Sequence, residues 1–347
     1  MESPKPGPAG PLQHNDYTVG WVCALPKEQT AATAMLDERH KDRELHLKRK
    51  RNDINTYTLG SIGRHNIVIA CLPKGKFGTI SAATVAAHMV NSFPAIRFGL
   101  MVGIGGAVSR KVRLGDVVVS TPSGTHPGVV QWDMGKAGDH FERTGSLNNP
   151  PNMLLTALTK LETDHDTEGS KVPDYLKAVC DNNTRLREKY EKSQLVDRLF
   201  KASYDHVSES HGIEDDEIED DDDDGGCQHC DPAETVKRKP RDMIMVHYGT
   251  IASGNQVIKN AKLRDQLSKD LGGNILCVEM EAAGLMDNFP CIVIRGICDY
   301  TDSHKNDAWQ EHAAAVAAAF AKEYLGYIQA SEVEGERTVQ ETLHTGR

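Results

Sequence analysis

No stretch of the 347-residue chain approaches the roughly 18 consecutive apolar residues of a membrane-spanning helix, and the start, MESPKPGPAG, lacks the apolar segment of a secretory signal. No membrane partner is expected, and the chain reads as cytoplasmic. A basic surplus is also missing, since 40 Lys and Arg stand against 50 Asp and Glu for a net charge of -10. The run KRKR at Lys48 to Arg51 is short and isolated, whereas binding to a nucleic-acid backbone needs clustered cations, so no nucleic-acid partner is expected. There is no GxSxG nucleophile elbow, no HExxH zinc helix, no GxxxxGK[ST] phosphate loop and no repeat of 20 to 50 residues. VGIGGAV is not the dinucleotide fingerprint GxGxxG either, because its last position is Val108, and no cofactor is expected.

The negative charge has one address. Glu214 to Asp224 reads EDDEIEDDDDD, ten acids broken only by Ile218, and without them 40 acids balance 40 bases. This run is either a solvated stretch without function or a segment that binds a basic partner. Of eight cysteines, those at 23, 71, 277, 291 and 298 lie in apolar runs and read as reduced core thiols. Only Cys227 and Cys230 form a CxxC, with His229 between them. A structural zinc site takes a second ligand pair, and only His206 and His211 lie near in sequence. The pair reads as incidental, Asp299, Asp302 and His304 read as a Thr- and Ser-containing turn, and no metal is expected.

Apolar content of 39% is enough for a sizeable core. Residues 1–15 read as a disordered, Pro- and Gly-rich lead, 16–330 as one domain, and 331–347 as a disordered tail. A charged, weakly periodic insertion at about 164–241 interrupts the domain and is expected to be largely disordered. Within the domain, strand-like runs such as YTVGWVCAL, HNIVIACL, IRFGLMVGIGG, NILCVEM and CIVIRGICD alternate with helical ones such as EQTAATAMLDE and GTISAATVAAHMVNSF. That alternation implies an α/β fold with helices on both faces of a central sheet.

Ligands in such folds bind where strands end. Glu28 follows the strand ending WVCAL, where it is either a first-turn acid favoured by the helix dipole or a functional carboxylate. Gly103, Gly105 and Gly106 would let a ligand approach the backbone. Glu279 and Glu281 end one apolar strand and Asp299 ends the next; carboxylates there are either tied down by hydrogen bonds or functional. Three acids at strand ends point to a site more readily than to three coincidences.

The order CALPKE, VGIGGAV with LGDVVVS, IASGN, VEMEAAG and IRGICDYTD resembles the nucleoside phosphorylase and nucleosidase superfamily, especially the fungal branch found alone or at the N-terminus of NOD-like receptor proteins. The resemblance covers about residues 17–329 apart from the insertion. It implies a three-layer α/β/α sandwich with a twisted, mostly parallel mixed sheet, a homo-oligomer, and cleavage of a base–ribose bond. By the same resemblance Glu281 holds the ribose hydroxyls, with Met280 packing on the sugar and Glu279 beside it. Asp299 contacts the purine and protonates N7, a role that needs burial to raise its pKa. Glu28 positions an attacking water, Gly103, Gly105 and Gly106 pass beside the ribose, and Asn255 contacts the base.

Two departures from the superfamily shape the expectation. Phosphorylases of this superfamily carry phosphate-binding arginines in segments that here read CALPKE and FGLMVGIGG, which leaves Arg97, Arg110 or another subunit to supply one. Val257 replaces the aromatic residue that stacks on the base in bacterial nucleosidases. The expected activity is therefore a purine nucleosidase acting by water attack on a small-molecule purine nucleoside. The alternatives are a phosphorylase and a nucleoside-sensing module.

Overall fold

The computed structural model describes residues 11–139, 141–192, 195–208 and 227–345. The first half runs β1 (Val19–Cys23), α1 (Pro26–Met35), β2 (Glu38–Arg39), α2 (Lys41–His46), β3 (Tyr57–Ile62), β4 (His65–Cys71), α3 (Thr79–Ser92) and β5 (Phe98–Ala107). Then come β6 (Val117–Ser120), β7 (Val129–Gln131), β8 (Gly135–Ala137), β9 (Phe141–Arg143), α4 (Asn152–Glu168), α5 (Val172–Asn182) and α6 (Thr184–Tyr190). The chain closes with β10 (Val246–Ser253), α7 (Ala261–Asp270), β11 (Ile275–Glu279), β12 (Cys291–Asp299), α8 (Gln310–Leu325), α9 (Ala330–Gly335) and α10 (Val339–Thr345).

The central strands are apolar at nearly every position because both faces of the sheet are covered. Along β1, Val19, Trp21 and Cys23 face the core beneath α1 and α8, while Val22 points to the opposite core, where Val85 and Met89 of α3 pack. Side chains alternate across a strand, so one run of apolar residues serves both layers. The result is a three-layer α/β/α sandwich on a mixed sheet ordered β11-β10-β6-β12-β5-β1-β4-β3-β2. Strands β4, β1, β5 and β12 are mutually parallel. Among the described residues no helix is long and apolar enough to cross a membrane.

The sheet curls at one end. β11 pairs in parallel with β10 and also, antiparallel, with the end of β5, where Cys277 faces Ala107 and Val278 faces Gly106. This brings the ends of β5, β11 and β12 together.

Three expectations are corrected by the fold. In the insertion expected at about 164–241, α5 and α6 follow α4, Val172, Cys180 and Tyr190 join the core, and the Ser170 hydroxyl and Lys171 amide donate to buried Glu323. These helices form because each buries an apolar stripe beneath a charged outer face. The acidic run Glu214–Asp224 lies outside the described residues. In the expected lead, His14–Asp16 form a short 3-10 turn and Leu12 packs on the core. In the expected tail, α9 and α10 bury Val333 and Val339, and the Val339 amide donates to the Ile96 carbonyl.

Candidate active site

The junction of strand ends holds a cavity bordered by Glu28 of α1, Gly105 and Gly106 of β5, Met280 and Glu281 after β11, and Asp299 of β12. Glu279 and Val257 also border it, and Gly103 lies directly behind. Residues more than 250 positions apart in sequence thus meet in one place.

Glu28 is held there by backbone geometry. It sits in the first turn of α1, where one carboxylate oxygen accepts from the Ala24 and Leu25 amides at 2.6 and 2.9 Å. The other oxygen accepts from the Ile104 amide at 2.8 Å, linking the start of α1 to the glycine segment of β5. Burial raises the Glu28 carboxyl above its usual range, with Arg295 and the three amides opposing. Glycine is required at 103 and 106 by close approach rather than by backbone angle. A Cβ at Gly103 would collide with the Arg295 guanidinium and the Glu28 carboxylate, and one at Gly106 with the side chains of Thr301 and Asp299.

Arg295, fully buried on β12, is the central cation. Its guanidinium donates to Glu279 and lies 3.6 Å from Glu281. Glu279 is spent on structure, because it also accepts from the Glu281 and Ala282 amides at 3.1 and 3.0 Å. Glu281 keeps more freedom: among the described residues its carboxylate accepts one long hydrogen bond of 3.4 Å, from the Gly78 amide, beside the more distant Arg295. Burial pushes its carboxyl up to about 7, against Arg295 and with help from Glu279 and Glu28. Arg295 carries only a faint sequence signal, a charge inside the apolar run CIVIRGIC.

Asp299 departs from expectation. Burial pushes its carboxyl up, but Lys305 at 2.7 Å and the Thr301 amide at 2.8 Å outweigh burial and hold it below the usual carboxylate range. The buried-acid state expected for proton donation is therefore not its resting state. Lys305, which also borders the cavity, is kept protonated by Asp299 although burial opposes its charge.

Asn255 also departs from expectation, as it does not border the cavity. Its side-chain oxygen accepts from the Thr79 amide and hydroxyl at 3.0 and 3.1 Å, and its NH2 donates to Asp133 at 3.0 Å. It clamps the start of α3 to the end of β10. Phe77, half-exposed in the loop before α3, borders the cavity and lay outside the expected set. Neither Arg97 nor Arg110 borders it, and the Arg97 guanidinium donates to the Glu336 carbonyl.

No protein-family model matches the chain. It is 44% identical over 340 residues to a nucleotide-binding leucine-rich repeat (NLR)-like protein of Hyaloscypha variabilis, a match covering 97% of this chain and 32% of that protein. It is 36% identical over 94 residues to an ATP nucleosidase of Escherichia coli, covering 25% of this chain and 18% of that enzyme. The chain thus spans a third or less of these relatives. Among solved structures, a 5'-methylthioadenosine/S-adenosylhomocysteine nucleosidase of Helicobacter pylori superposes with a TM-score of 0.55 at 16% identity, over 89% of this chain and 98% of that one. That likeness shows the shared fold.

Proposed function

We propose, from the premise that the chain belongs to the nucleoside phosphorylase and nucleosidase superfamily, that it hydrolyses the N-glycosidic bond of a purine nucleoside or nucleotide. The observation carrying this reading is the convergence of Glu28, Glu281 and the Asp299–Lys305 pair on one cavity beside Gly105 and Gly106. Breaking a C–N glycosidic bond builds positive charge on the sugar and negative charge on the leaving base. A site for that reaction needs anionic groups near the ribose and a proton for the base.

In this reading Glu281 grips the ribose hydroxyls and Met280 packs on the sugar. The Glu28 carboxylate offers about four acceptor positions, of which backbone amides take three. Glu28 borders the cavity, and the remaining position is assigned to orienting a water for attack. As charge develops on the base, Asp299 takes a proton from Lys305 and passes it to N7. Lys305, part-exposed, regains a proton from solvent. Water rather than phosphate is the nucleophile because Arg295 is committed to carboxylates, and the Glu28 charge disfavours a phosphate dianion.

The relative named an ATP nucleosidase motivates a finer proposal, that the substrate carries 5' phosphates. Lys74 and Lys76, both exposed, share a loop with Phe77, and the following Gly78 amide contacts Glu281. Two cations within three residues in sequence of the cavity-lining Phe77 complement the charge of 5' phosphates.

The test is incubation with adenosine, inosine and guanosine, and with their 5'-phosphorylated forms, without inorganic phosphate. Release of free base and an intact sugar or sugar phosphate supports the reading. Strict dependence on phosphate, with a ribose 1-phosphate product, overturns it in favour of phosphorolysis.

A further inference from the structure

Behind the loop that carries Asp299 and Lys305, four side chains of metal-ligand type come together from three stretches of chain. His206 Nδ1 lies 3.3 Å from Cys230 Sγ and 4.0 Å from Cys227 Sγ. The ligand atoms of His206, Cys230 and His304 all lie within 4.8 Å of one another. Tetrahedral zinc, with bonds of about 2.3 Å to sulfur and about 2.0 Å to nitrogen, requires its ligand atoms to sit roughly 3.3 to 3.8 Å apart. His206, Cys230 and His304 are close to that arrangement, and Cys227 Sγ, 4.0 Å from His206 Nδ1, lies beside them as a fourth ligand.

His304 supplies an independent observation. It is buried, and among the described residues neither ring nitrogen has a hydrogen-bond partner. Its ring is stacked on Phe200 with centroids 3.9 Å apart and planes 10° from parallel, so its direction is fixed by packing. A buried imidazole with both nitrogens unsatisfied is costly and calls for a ligand. Asp302 Oδ1 lies 3.7 Å from His304 Nδ1, beyond hydrogen-bond length, so a carboxylate of the kind that orients metal-bound histidines stands beside the ring.

We propose that Cys227, Cys230, His206 and His304 form a structural zinc site that fastens the segments around His206 and Cys227 to the loop between Asp299 and Lys305. Two thiolates neutralise the charge of zinc, and two sulfurs with two imidazoles are a donor set that selects it over magnesium or calcium. All four positions are filled by protein, so the ion has no place for a reacting water and holds structure only. The CxxC spacing is visible in the sequence; its partner His304 is 74 residues further on and is joined to it only by the fold.

The experiment uses the full chain, purified under reducing conditions without chelator or polyhistidine tag. Elemental analysis should find about one zinc per chain, the stoichiometry of a closed four-ligand site. The double variant Cys227→Ser/Cys230→Ser should retain less than about a tenth of that zinc. Because that variant can fail to fold, the parent protein is also stripped of metal and titrated with cobalt(II). The visible bands of tetrahedral cobalt with a thiolate charge-transfer band are expected, saturating at one equivalent. Absence of zinc together with absence of those bands overturns the proposal, as does a double variant that keeps its zinc. A Cys227–Cys230 disulfide found by mass spectrometry in metal-free protein purified with reductant also overturns it.

Discussion

Lys305 donates to Asp299 across 2.7 Å, and this pairing reverses what burial alone would do to the carboxyl. Replacing Lys305 by Met removes the cation and keeps the apolar stem. Asp299 can then donate a proton only when it is itself protonated, so activity falls as pH rises through its carboxyl pKa. The parent should hold its rate until Lys305 itself loses its proton at high pH. At neutral pH the variant should lose about 10²-fold or more in kcat, the usual contribution of a placed acid. Profiles of kcat/KM against pH check this, and superimposable profiles would sink the relay.

Glu281 yields a second pH prediction. Its carboxyl is pushed from an ordinary value of 4.5 up to about 7 in the fold. The folded protein therefore holds a proton that the unfolded chain releases earlier. The stabilising contribution is complete below the unfolded pKa and is lost as pH rises from about 4.5 to about 7, roughly 3 kcal/mol in all. In Glu281→Gln that fall should vanish, as read by urea denaturation at several pH values. Ribose recognition runs the other way, because the ionised form grips hydroxyls more strongly. KM for the parent should therefore drop as pH rises through about 7, and in the variant it should be high and flat.

Much of this arrangement is legible in the sequence, for physical reasons. Strands such as IVIRGICD are apolar throughout because both faces are covered, and acids at their ends stand out against that background. Glu28, Glu281 and Asp299 could be singled out on this ground and do border one cavity. Arg295 is lost within its own apolar strand, and Lys305 stands in a turn where no period marks it. The ion pair that sets the state of Asp299 is therefore invisible until the turn is folded. Asn255 shows the converse, a polar residue beside the site whose side chain the fold spends on holding α3. The charge of 164–241 masks an apolar spacing, Val172, Leu176, Val179 and Cys180, that places one face of α5 on the core.

Arg295 is the test of how the acidic cluster is held together. Arg295→Leu leaves Glu28, Glu279 and Glu281 buried without their cation, and removing one member of a buried ion pair commonly costs about 3–5 kcal/mol. Arg295→Lys keeps the charge but loses the planar fork, so an intermediate loss is expected. Both are measured by denaturant midpoints at neutral pH. A Leu variant as stable as the parent would mean that the glutamates are already neutral and that the cation is dispensable.

The side chains of Lys74 and Lys76 decide between a plain nucleoside and a 5'-phosphorylated one. Both are exposed on the loop that leads into Phe77 and Gly78, and neither borders the acid-lined cavity, so their removal should leave the fold and the bond-breaking groups in place. In Lys74→Ala/Lys76→Ala the KM for a purine nucleoside 5'-triphosphate should rise about tenfold or more, about 1.4 kcal/mol of lost binding. The KM for the unphosphorylated nucleoside should not change. Because the contact is exposed, the difference between parent and variant should shrink at high salt as the charges are screened. A double variant that weakens both substrates equally, or neither, removes these lysines from substrate choice.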